Sequence, residues 1–296
     1  HGADAPTAFS TKQPKPSQEV WRPSTDSVQY DAVDHRPTSV PLVLGACLAL
    51  LASLPAAGSW TPNTRIRMAD YALRVTPPHL VGQIERHHDR FHDGILAAAK
   101  SDPTVDASGA PIPVDIDLDR LIKTEIDQAI RAIEDYRPFS QIVYQLGIVA
   151  YWVAGINSPL PVSETGTRPP AYWQDYFRYL EDAQQRFSVL YYGHDRQFDT
   201  PQGLTSMLER SQRRSQSLAP WIGKEYARVG AIDGLGLFDD RSTAFGVGSL
   251  AFSHGVSDIA GALRYIWLRA GGVDSRRFPP LDADHLILVE RGQKSP

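Results

Sequence analysis

From about residue 60 to residue 270 the apolar positions recur every three or four residues, which is the signature of helices with one face turned inward. The pattern predicts helices over Arg65 to Val75 and over Leu80 to Lys100, the second through Leu80, Ile84, Phe91 and Ile95, with Pro77-Pro78 between them. A Pro- and Asp-rich stretch at 101–117 reads as a loop. Leu118 to Tyr136 carries Leu121, Ile122, Ile126, Ala129, Ile130 and Ile133 on one side. Phe139 to Ala154 is nearly all apolar, the pattern of a central buried helix. Trp173 to Tyr191 reads as a long aromatic helix, Leu204 to Val229 as an amphipathic one interrupted near Pro220, and Thr243 to Ala270 as the last, closed by Gly271-Gly272. The fold class this predicts is all-α, a multi-helix bundle over 59–272, followed by a polar tail at 273–296 with one short apolar run, Leu286 to Val289.

The N-terminal part has a different character. Residues 1–38 are rich in Pro, Ser, Thr, Asp and Gln and hold too few large apolar residues to build a core, so they are expected to run extended along a partner. Residues 40–57 carry no charge over a length close to the minimum for a membrane span, which predicts a transmembrane signal anchor over 39–58. Competing readings are a signal peptide cut near Ala56-Ala57-Gly58, a lipobox at Leu44-Gly45-Ala46-Cys47, and a buried core helix. Arginines flank both ends of the segment, so charge does not set its orientation.

Composition narrows the chemistry. Of the 296 residues 42% are hydrophobic, enough for one sizeable domain, and a net charge of −4 argues against a general nucleic-acid binder. Cys47 is the single cysteine, which excludes an intrachain disulfide and a cysteine-built zinc site. There is no C-x-x-C-H for haem, and no cofactor is expected.

One stretch carries a resemblance. Leu146-Gly147-Ile148-Val149-Ala150-Tyr151-Trp152-Val153-Ala154-Gly155-Ile156-Asn157-Ser158-Pro159-Leu160-Pro161 aligns without a gap to L-G-x-x-x-H-Y-x-x-D-x-x-x-P-x-H, a run shared by bacterial zinc phospholipases C. Gly94-Ile95-Leu96-Ala97-Ala98 is similar to the family's G-I-x-A-A, and Gly261 to Leu268 to its closing helix. Trp60 falls where the family has a mature N-terminal Trp, and the early helical His of the family falls near Thr64 or Arg65. The chain therefore resembles a degenerate member of the zinc-dependent phospholipase C and S1-P1 nuclease superfamily. The resemblance implies lost ligands: His, Asp and His are replaced by Tyr151, Gly155 and Pro161, and a metal-binding Asp by Ala99. No His stands between His92 and His194, and Tyr172 to Phe177 supplies aromatics where the family has an H-x-x-x-E pair. Tyr, Gly and Pro cannot hold zinc at about 2.0–2.2 Å, so water activation by zinc is not expected there. Tyr151 is expected to fill the former site with its hydroxyl bonded.

Other residues retain chemical potential. His88 and His92 lie i,i+4 on one helix face, a spacing that suits one metal, although a solvated face with Arg86 and Arg90 has the same pattern. His254 and Asp258 share that spacing, so Asp258 could orient His254 as a base or simply bond to it in a bundle. Arg210, Arg213, Arg214 and Arg228 predict a solvated basic face. Together these point to a noncatalytic, membrane-anchored scaffold or accessory subunit of a larger membrane complex, respiratory or photosynthetic. Its partners are other subunits of that complex and the lipid bilayer, through 40–57, with no nucleic acid. Its C-terminal domain is expected on the periplasmic or extracellular side, because the family it resembles is exported. The alternative is a metal-dependent lipid or phosphodiester hydrolase with a site moved to His88 and His92.

Overall fold

The computed structural model describes residues 59–102, 117–159, 170–275 and 286–292. The expected tail over 1–38 and anchor over 39–58 lie outside the described residues. The rest is mostly helical: α1 (Pro62–Leu73), α2 (Pro78–Glu85), α3 (His88–Lys100), α4 (Leu118–Glu134), α5 (Phe139–Ile156), α6 (Tyr172–Ala183), α7 (Pro201–Val229), α8 (Gly234–Leu237) and α9 (Thr243–Arg269). Two short strands, β1 (Val189–Tyr191) and β2 (Ile287–Glu290), pair antiparallel.

Local chemistry sets the helix starts. Thr61, Asp117, Thr200 and Ser242 each accept a hydrogen bond from a backbone N–H three residues on, the ordinary N-cap, and Pro62 and Pro201 take first-turn positions where no N–H is needed. Pro78 likewise starts α2. At the other end Gly271 takes a left-handed φ of +83° and stops α9.

α5 is the axle. Ile142, Val143, Leu146, Val149 and Val153 are buried, and α3, α4, α9 and α1 pack around the helix. Among the described residues this is the helix long and apolar enough to cross a membrane, yet most of it is buried inside the bundle, as a core helix is. Its contact with α3 is set by two glycines. A Cβ on Gly147 would come within 2.1 Å of the Phe91 carbonyl oxygen, and one on Gly94 within 2.0 Å of the Tyr144 carbonyl oxygen. The two backbones therefore touch directly, which no other residue type permits.

The structure corrects three expected elements. Leu80 to Lys100 is two helices, because the chain turns at Arg86–His87. Trp173 to Tyr191 ends its helix at Ala183, passes through a 3₁₀ turn at Gln184–Arg186 and continues as β1. There the Leu190 and Tyr192 N–H groups donate to the Ser253 and Ser257 hydroxyls of α9, an alternative to the helical ladder that periodicity does not reveal. α7 runs unbroken through Pro220. Leu286 to Val289 proves to be most of β2, so the described part is mostly α with one small ribbon.

Candidate functional site

Three groups of polar side chains stand out. The first lies where α1, α5 and the end of α3 meet. Arg65, on α1, is 3% exposed. Its Nε donates to the Trp60 carbonyl at 3.0 Å, Nη1 to the Tyr151 carbonyl at 3.0 Å and Nη2 to the Ser59 hydroxyl at 2.6 Å. The guanidinium lies 3.8 Å from the centre of the Tyr151 ring and its Nη2 is 3.9 Å from the Asp102 carboxylate. The Tyr151 hydroxyl donates to Asp102 at 2.5 Å, so the tyrosine is buried and bonded. Burial, reinforced by the neighbouring carboxylate, pushes its phenol well above the ordinary range, while Arg65 opposes that shift. Gly155 makes the room: a Cβ there would sit 3.0 Å from Arg65 Nη1. Ala99 is half-buried against the core. The carboxylate that reaches Tyr151 comes from Asp102, three residues further on, where no sequence signal marked it. Pro161 lies outside the described residues. Around this knot Trp60 meets Phe177 and Phe252 edge-on at 5.7 and 6.3 Å, and Glu181 accepts from the Thr64 hydroxyl at 2.5 Å and from Thr61. A desolvated cation of this kind is tolerated only because every face of it has an acceptor or an aromatic ring.

The second group joins α1 to α3. His88 opens α3, His92 follows one turn later, and their rings pack at 4.2 Å between centroids. Both Nε2 atoms converge on one oxygen of Asp70, at 3.3 and 2.9 Å. Asp70 sits in the last turn of α1, 18 and 22 residues away from the histidines, and so escaped the sequence reading. The three ligand atoms lie within 4.8 Å of one another. Tetrahedral zinc at about 2.0–2.1 Å from its ligands holds them about 3.3 Å apart, so small rotamer changes suffice to seat an ion. Beside Asp70 an open groove of about 460 Å³ is lined by Asn63, Arg67, Tyr71, Arg74 and Gln184.

The third group faces a cavity between α7, α9 and the 192–199 segment. Asp258 does not orient His254. It accepts from the Ser211 hydroxyl and from Arg214 Nη2, both at 2.6 Å, and the buried His254 Nδ1 has no hydrogen-bond partner. Tyr192 instead stacks on the imidazole at 4.2 Å. Burial and the Arg214 charge lower the His254 pKa to about 4, so the ring is neutral near pH 7. Asp258 therefore does not serve His254, whereas His194, on the wall of the same cavity, has its Nε2 2.9 Å from an Asp199 carboxylate oxygen. The expected basic face also divides: Arg213 is exposed and Arg228 pairs with Glu225, whereas Arg214 turns inward and Arg210 lines the cavity.

The chain matches no protein-family model and, in sequence, no curated protein.

Proposed function

We propose that the chain is a noncatalytic, membrane-anchored scaffold or accessory subunit of a larger membrane complex, built on a degenerate zinc phospholipase C-like bundle. The observation that carries this reading is the placement of the Arg65 guanidinium. It lies among Trp60, Tyr151 and Gly155, the positions at which the resemblance puts the metals' ligands, and it is held by a neighbouring carboxylate, Asp102. A fixed positive charge there repels a zinc ion, and its donors occupy the Trp60 and Tyr151 carbonyls and the Ser59 hydroxyl. Gly155 in place of an acidic ligand leaves the space the guanidinium uses. The aromatic packing of Trp60, Phe177 and Phe252 fills what remains, and each such ring buries about 150–250 Å². Exposed Ile232, Leu235 and Leu237, between α7 and α9, offer apolar contacts to a neighbouring subunit. The span at 40–57 supplies the tether. On native gels of detergent-solubilised membranes the chain is expected to migrate with a complex far larger than its own mass, and the purified protein to leave phosphatidylcholine and single-stranded nucleic acid intact. Free migration as a monomer together with hydrolysis of either substrate would overturn the reading.

The convergence of Asp70, His88 and His92 favours a second reading, a hydrolase with one metal at that site. Two imidazoles and a carboxylate leave a fourth position open for water, and Arg67 and Arg74 flank the adjoining groove, where an anionic ester would lie. Zinc titration of the native chain and of Asp70→Asn, followed by an esterase assay of the loaded protein, decides between the two.

A further inference from the structure

The cavity between α7 and α9 is unlike the Arg65 knot, because its charges are not all answered from within. It measures about 260 Å³ and is lined by Arg210, Arg214, His194, His254, Tyr192 and Asp258 together with the apolar Phe198, Met207 and Leu286. Arg214 is answered only at Nη2, which donates to Asp258 and to the Asn157 side-chain oxygen at 2.9 Å. Asp258 is in turn saturated by Ser211 and Arg214. Arg210 is different. It has no salt bridge among the described residues, its Nε is buried without an acceptor, and its guanidinium lies 4.5 Å over the Phe198 ring. Partial burial, with the neighbouring Arg214 charge, disfavours its charged form more than the carboxylates of Asp258 and Asp195 favour it. A guanidinium in that position is a donor fork awaiting an anion.

The lining also restricts the anion. Arg210 and Arg214 stand one helical turn apart on α7, so their donors approach from one side. His254 and His194 face the cavity from α9 and from the loop before the 3₁₀ turn at Arg196–Asp199. A planar carboxylate has two oxygens and is filled by one fork. A tetrahedral oxyanion has a third and fourth oxygen for the imidazole side. The apolar wall of Phe198, Met207 and Leu286 leaves space that a bare inorganic ion would not use. We propose that this cavity binds a small organic phosphate, its oxyanion gripped by Arg210 and Arg214 and its organic part resting on Phe198, Met207 and Leu286. The proposal is independent of what the Arg65 knot does.

The test is isothermal titration of the full chain in detergent with inorganic phosphate, phenyl phosphate and benzoate, for the native protein and Arg210→Gln. Phenyl phosphate should bind more tightly than inorganic phosphate, and benzoate should be weakest. Arg210→Gln should weaken phenyl phosphate at least tenfold with an unchanged melting temperature. Should that variant fold poorly, the native chain carries the test: phenyl phosphate should protect Arg210, but not the exposed Arg213, from phenylglyoxal, read by mass spectrometry. Absence of phosphate binding by the native chain, equal affinity in a folded Arg210→Gln, tighter binding of benzoate, or unprotected Arg210 would each overturn the proposal.

Discussion

Arg65 and Arg210 are both drawn away from bulk water, on different helices of one bundle, yet their surroundings are opposite. Arg65 has three hydrogen bonds, an aromatic ring and a carboxylate at hand. Arg210 has one aromatic ring, a buried Nε without an acceptor and a cavity in front of it. In the first region the protein answers its own charge, and the result is architecture. In the second it does so only in part, and a cavity lies in front of the guanidinium. Burial of a cation is thus no indicator of function by itself; the count of its internal acceptors is.

The same substitution at the two positions should separate them most sharply. Arg65→Met removes a buried cation on which Asp102, two backbone carbonyls and Ser59 depend, and is expected to cost about 3–5 kcal/mol of unfolding free energy, read by denaturant melts. Arg210→Met removes an unanswered charge and should change stability by less than about 0.5 kcal/mol. Equal losses at the two sites would erase the distinction. Next in size is Gly147→Ala, which drives a methyl into the Phe91 carbonyl and should cost roughly 2–3 kcal/mol. Tyr151→Phe keeps the ring over Arg65 and deletes the bond to Asp102, for a loss of about 1–2 kcal/mol.

The smallest effect is a pH dependence confined to the open region. The His254 pKa lies at about 4 in the folded chain and near the ordinary His value when unfolded, so between those values the unfolded state binds more protons. Stability should therefore fall as pH drops from about 6.5 towards 4. His194, lowered chiefly by burial and by Arg264, adds in the same direction. His254→Gln should flatten part of that slope, while Tyr151→Phe should leave it unchanged.

Much of the bundle was legible from periodicity. α4 and α5 begin where the apolar pattern begins, and the buried character of α5 follows from having few polar residues. What escaped was set by contacts between distant segments. Val189 to Tyr191, expected as the end of a helix, became β1, where the Leu190 N–H and the following Tyr192 N–H donate to Ser253 and Ser257. Pro220 was expected to interrupt a helix that in fact continues. His88 and His92 were visible as an i,i+4 pair, but Asp70 joins them only through the packing of α1 on α3, and Asp102 reaches Tyr151 across 49 positions. The His254–Asp258 spacing suggested a pair, yet Arg214, from another helix, takes the carboxylate. Spacing along a helix fixes which residues share a face; it does not fix what the facing helix brings to them.

The most direct test of the central claim, that a guanidinium stands where metal chemistry would need an ion, is the zinc content of the full chain with Asp70, His88 and His92 replaced by Asn, Gln and Gln. The surface site is thereby removed and the Arg65 knot left intact. After zinc loading and desalting, elemental analysis should find no bound zinc in this variant. A stoichiometric ion that survives the triple replacement and is lost on changing Asp102 would contradict the account.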